Sequence, residues 1–215
     1  GSGAGSNTLV TYLGQFGTEG SGEGQLSTPF PIAKTSNNQL WVGDASRIQL
    51  LTSLGSFLGS MTFAGGTQGL AVDASGFLYA GDATNAVVVK YTSAGSVVLS
   101  WGGSGTGTGQ FDVPRGIVAH TSGNIYVVDS VNNRVQFFTS LGSFVSTFGT
   151  SGTGNGQFNT PVGIAVDSAG QLWIADENNH RVQQFTAAGS YLQQFGTQGG
   201  AGGQFSFPTT VALDA

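Results

Sequence analysis

The chain has 215 residues, 39% of them hydrophobic and only 8% charged, with 37 glycines, no cysteine and a formal net charge of −5. That apolar content excludes a disordered chain, and the glycines follow no Gly-X-Y period, which excludes collagen. Six scattered basic residues leave no electrostatic footprint for nucleic acid or an anionic membrane, no thiol is present for disulfide or thiolate chemistry, and no apolar run is long enough to cross a bilayer.

In chain order, residues 1–8 read as a flexible leader to a single domain over 9–215. The first patterned segment, 9–17, matches the last strand of the units that follow. Those units cover 26–63, 64–102, 111–149 and 158–196. Their period is 47 residues: Gln110, Gln157 and Gln204 keep it, as do Pro114, Pro161 and Pro208, and Asp82, Asp129 and Asp176. The first unit is shorter. Its turn Asp44–Arg47 lacks two residues of Asp129–Arg134, and the stretch after Met61 lacks seven residues of the Gly-rich loop found elsewhere.

Each unit holds four short apolar runs, a to d. In the fourth they lie at 163–167, 171–176, 181–186 and 190–196. They are rich in β-branched and aromatic residues and are bounded by Gly, Asn, Asp and Ser, and no window has a helical period. Runs a and b are nearly continuous apolar stretches, as for strands buried on both faces; c and d carry more Gln, Thr and Ser, as outer strands do. The reading is an all-β chain, a β-propeller of four complete four-stranded blades. The last segment, 205–214, matches run a alone. The chain therefore reads as an orphan d strand, four blades and an orphan a strand.

The run Pro161-Val-Gly-Ile-Ala-Val-Asp167 with Leu172-Trp-Ile-Ala-Asp-Glu-Asn-Asn-His-Arg-Val-Gln-Gln-Phe185 resembles an NHL repeat, and 114–118 with 125–137 resembles it equally. The second unit departs, with Thr67 in place of the proline and Val87 in place of the arginine. The resemblance implies a propeller that serves as a protein- or RNA-binding platform; a few relatives are metal-dependent lyases or lactonases. The net charge disfavours RNA.

Asp44, Asp82, Asp129 and Asp176 end their b runs. Because they recur in every unit, they are assigned to the repeat itself, capping the following turn and meeting Arg47, Arg134 and Arg181. Two isolated histidines, His120 and His180, cannot build the metal site that lyase relatives require, so no catalytic, metal or cofactor site is assigned. Positions that vary within the fixed frame are the candidates for binding. The residue after the run-a proline is Phe30, Gln68, Arg115 and Val162 in the four units and Thr209 in the partial fifth. In a propeller these surround the channel mouth. The functional expectation is a non-enzymatic module for protein interaction or self-assembly, as an oligomer or filament in an extracellular or cell-surface setting. Its partners are its own copies or another protein, not nucleic acid and not a membrane interior. The alternatives are a lyase- or lactonase-like enzyme and a fragment or engineered scaffold without activity.

Overall fold

The computed structural model describes residues 15–213. Residues 9–14 of the expected orphan d strand lie outside the described residues. Gln15–Gly17 carry no strand hydrogen bonding.

Blade 1 is the antiparallel meander β1 (Pro29–Lys34), β2 (Leu40–Asp44), β3 (Arg47–Leu51) and β4 (Phe57–Thr62). Blade 2 is β5 (Thr67–Val72), β6 (Leu78–Asp82), β7 (Val87–Tyr91) and β8 (Val97–Gly102). Blade 3 is β9 (Pro114–Ala119), β10 (Asn124–Asp129), β11 (Arg134–Thr139) and β12 (Phe144–Phe148). Two short parallel strands, β13 (Thr150–Ser151) and β14 (Gln157–Phe158), pin the loop to blade 4. Blade 4 is β15 (Pro161–Val166), β16 (Leu172–Asp176), β17 (Arg181–Phe185) and β18 (Tyr191–Phe195).

The meander follows from turn chemistry. The c-to-d hairpins turn on Gly55, Gly95, Gly142 and Gly189, all at positive φ, where a side chain would be strained. The b strands lie inside their sheets and are buried on both faces, β6 along its whole length. The d strands are the outer edges of their sheets and are exposed or half-buried throughout, with Leu58, Val98, Val145 and Leu192 among their exposed residues.

Successive blades stack face to face around three cores. Trp41, Ile48 and Phe63 of blade 1 meet Leu70, Leu78 and Tyr91 of blade 2. Tyr79, Val88 and Trp101 of blade 2 meet Ile117, Ile125 and Phe138 of blade 3. Tyr126, Val135 and Phe137 of blade 3 meet Ile164, Ile174 and Phe185 of blade 4. Close approach near the channel requires glycine in strand a: a Cβ on Gly116 would lie 3.0 Å from the Ile164 amide nitrogen of the next blade.

Among the described residues the four sheets form an arc that does not close. Residues 206–213, expected as a lone a strand, enter no ladder. In every blade strand a pairs with strand b, and among the described residues no b strand lies beside this segment. It still keeps the seat of an a strand: a Cβ on Gly163 would lie 2.8 Å from the Thr209 carbonyl oxygen.

Candidate binding surface

In blades 1, 3 and 4 the recurrent Asp and Arg form a clamp that holds the blade to the loop entering it. Arg134 Nε donates to Asp129 Oδ2 at 2.7 Å, and its other nitrogens donate to the carbonyls of Thr106, Gly107 and Gln110. Arg181 repeats this with Asp176 Oδ2 and the carbonyls of Thr153, Gly154 and Gln157. Arg47 does so with Asp44 and the carbonyls of Ser21 and Gln25. The guanidinium fork thereby satisfies carbonyls that a Gly-rich loop cannot pair within itself.

The carboxylates work differently from the sequence expectation. Asp44, Asp129 and Asp176 accept from amides of the incoming loop, at Ser27 and Thr28, Asp112, and Asn159 respectively. Only Asp82 takes its backbone hydrogen bond from the following turn, at Asn85. The incoming loop passes the end of strand b, which brings its amides within hydrogen-bond reach of the carboxylate. Burial pushes the Asp44 carboxyl up, but the Thr28 and Ser27 amides and Arg47 outweigh it and hold the group below its ordinary value.

A third clamp residue was not singled out in the sequence. Gln49, Gln136 and Gln183 are fully buried; each donates to the carbonyl of Gln25, Gln110 or Gln157 and accepts from Gly24, Gly109 or Gly156. The signal was there. Blade 2 has Val87 for the arginine, Val89 for the glutamine, and a loop shortened to the residues between Thr62 and Thr67. Loop, arginine and glutamine are lost together because they serve one another.

The variable positions behave as two groups. Phe30, Gln68, Val162 and Thr209 line one open channel of about 450 Å³, together with Ile32, Leu70, Ile117 and Ile164. In blades 1, 2 and 4 the lining residue Phe30, Gln68 or Val162 falls at a register shift of its a strand. Arg115 is not part of this lining: it pairs with Glu177 of the next blade at 3.6 Å. Val162 is buried, whereas Phe30 is 60% exposed. His120 binds the Gly170 carbonyl and Ser122, and His180 Nδ1 accepts the Phe207 amide at 3.2 Å; the two do not converge. Among the described residues no group of three or more His, Cys, Asp or Glu could hold a metal ion, and no helix is long and apolar enough to cross a membrane.

The model of the NHL repeat matches residues 111–138 and 158–185, the entry, a, b and c segments of blades 3 and 4 with their complete clamps. Blades 3 and 4 thus match the NHL repeat within a chain of four-stranded propeller blades. Solved structures agree on that architecture. A streptogramin B lyase matches 81% of the chain at 18% identity with a TM-score of 0.63. The virginiamycin B lyase of Staphylococcus aureus matches 88% at 14% identity with a TM-score of 0.65. U3-55K matches 84% at 15% identity with a TM-score of 0.65. The chain spans 57%, 62% and 54% of those chains. These likenesses establish the fold. No curated protein matches the chain.

The two end faces complete the surface. Ile32 on the leading face of blade 1 is 57% exposed, while its counterparts Ile117 and Ile164 are 6% and 9% exposed under a preceding blade. On the trailing face of blade 4, Trp173 is half-buried and Phe195, stacked on it at 5.5 Å, is 43% exposed.

Proposed function

We propose that this chain is a non-catalytic protein-binding module of an extracellular setting, and that it binds through the uncovered end faces of its arc, with its own copies among the partners. One observation supports the reading above the others: Ile32 lies in the open at the position whose counterparts Ile117 and Ile164 in blades 3 and 4 make inter-blade core, with Phe30 exposed beside it. An apolar sheet face of this kind, built to be covered, is a protein-interaction surface. The low charge of the chain is in keeping with association.

Sedimentation velocity across a hundredfold range of protein concentration tests the reading. The expected result is a weight-average mass that rises with concentration and falls back on dilution. A constant monomer mass over the whole range overturns self-association. Metal analysis of the purified protein separates the reading from a lyase-like one, which requires a bound metal.

A further inference from the structure

We infer that copies of this chain associate head to tail, the trailing face of blade 4 receiving the leading face of blade 1 of the next copy, in a seat that residues 205–213 hold in its absence. The inference rests on the self-association proposed above and adds which faces meet.

The internal geometry carries it. Blade 2 sits on blade 1, blade 3 on blade 2 and blade 4 on blade 3 through one repeated arrangement. Strand a of blades 3 and 4 lies over the strand-a glycine of the blade before, Arg115 over Gly69 and Val162 over Gly116; blade 1 has Pro31 at this position. At the rim, the d strand of each blade covers the c-to-d glycine of the next: Met61 over Gly95, Trp101 over Gly142, Phe148 over Gly189. The same two contacts continue past both ends of the arc. Thr209 and Thr210 lie over Gly163, and Phe16 lies over Gly55. Blade 4 is thus shaped to receive an a strand, and blade 1 to receive a d strand.

The segment now in the blade 4 seat carries the repeat's own strand-a pattern: Gln204, Pro208 and Ala212 align with Gln25, Pro29 and Ala33 of blade 1, with Val211 for Ile32. A seat that fits this pattern fits the entry to blade 1. The resident segment is anchored at Phe205, which bridges to Gln198, and is held less beyond it. Residues 206–213 make no ladder, and the Phe207 amide rests on His180 Nδ1 at 3.2 Å with the two rings edge to face. The incoming blade 1 carries Phe30 and Ile32 on a strand already paired to β2, so it brings a preformed sheet where the resident brings a single extended segment. A contact between two different faces is heterologous and continues into rings or filaments, not closed two-fold dimers.

Two exposed positions separate the faces: Ile32→Asp on blade 1 and Phe195→Asp on blade 4. Circular dichroism and thermal melts establish that each variant is folded; Phe30→Asp and Phe195→Lys replace them where one is not. By sedimentation velocity, each variant alone stays monomeric at concentrations where the wild type associates. An equimolar mixture forms a one-to-one complex that stops at the dimer, because each variant keeps one competent face. Releasing the resident segment with His180→Ala strengthens wild-type association about fivefold, the loss of one hydrogen bond. The inference is overturned if wild type associates but either single-face variant still dimerises alone, since that requires a two-fold contact. It is also overturned if the mixture stays monomeric. A monomeric wild type instead sinks the functional proposal beneath it.

Discussion

Replacing Asp129 by alanine tests whether the clamp holds the blades to their loops. The Asp129 carboxylate is fully buried and accepts from Arg134 Nε and the Asp112 amide at 2.7 Å each, from Asn132 Nδ2 at 2.9 Å and from Gln136 Nε2 at 3.2 Å. Asp129→Ala removes all four and leaves a guanidinium whose remaining partners are neutral carbonyls. Breaking one side of a fully buried pair destabilises by about 3–5 kcal/mol, and because Arg134 keeps 15% exposure the loss expected here is at the lower end, about 3 kcal/mol. Blade 2 supplies the control. Asp82 meets the Asn85 amide and side chain at 2.8 Å each, with Val87 where the arginine would be, so Asp82→Ala loses a turn cap worth about 1–2 kcal/mol. The assay is urea unfolding followed by circular dichroism, with native-state hydrogen exchange to locate the opening, since a repeat array can unfold in parts. Asp129→Ala is expected to open the loop over 103–113 first. Equal losses for the two variants, or under about 1 kcal/mol for Asp129→Ala, would refute the clamp.

Further outcomes follow from the same geometry. Gly116→Val places a branched side chain against the Ile164 amide of the next blade, and overpacking of this kind lowers stability by about 1–3 kcal/mol in a thermal melt, more than the same change at the open Gly123 turn costs beyond its backbone strain. Tyr126→Phe removes a 2.7 Å hydrogen bond from blade 3 to the Ala187 carbonyl of blade 4 and is expected to cost about 1 kcal/mol by urea titration. Asp44 has a folded-state pKa below its unfolded value near 3.8, so its stabilisation is present above that value and is lost as pH falls through the folded-state pKa. The difference in melting temperature between wild type and Asp44→Ala should therefore be full at neutral pH and shrink below about pH 4; a difference independent of pH contradicts the assignment.

Much of this architecture can be read from residue spacing. A period of 47 with four apolar runs per unit locates the blades, because strand burial and Gly-containing turns are written locally. The Asp–Arg pairing is legible for the same reason, since both partners recur in one short segment. The direction of the Asp hydrogen bonds is not legible, because it depends on where a loop 17 residues upstream comes to rest. Nor is the pairing of Arg115 with Glu177, which lie in different blades. The Gln49, Gln136 and Gln183 clamp could have been found in the comparison with blade 2, where Val89 stands beside a shortened loop. The 206–213 segment carries the pattern of an a strand, yet a strand is defined by its partner, and pattern alone does not supply one.

The central claim, that the end faces of the arc are where protein binds, is tested most directly by hydroxyl-radical footprinting of the full chain at low and high protein concentration. Phe30, Ile32, Trp173 and Phe195 are expected to lose reactivity as concentration rises, while the inter-blade Trp101 and the exposed turn residue Leu141 hold theirs. Unchanged reactivity at the four end-face residues, or protection centred on blades 2 and 3, would contradict the claim.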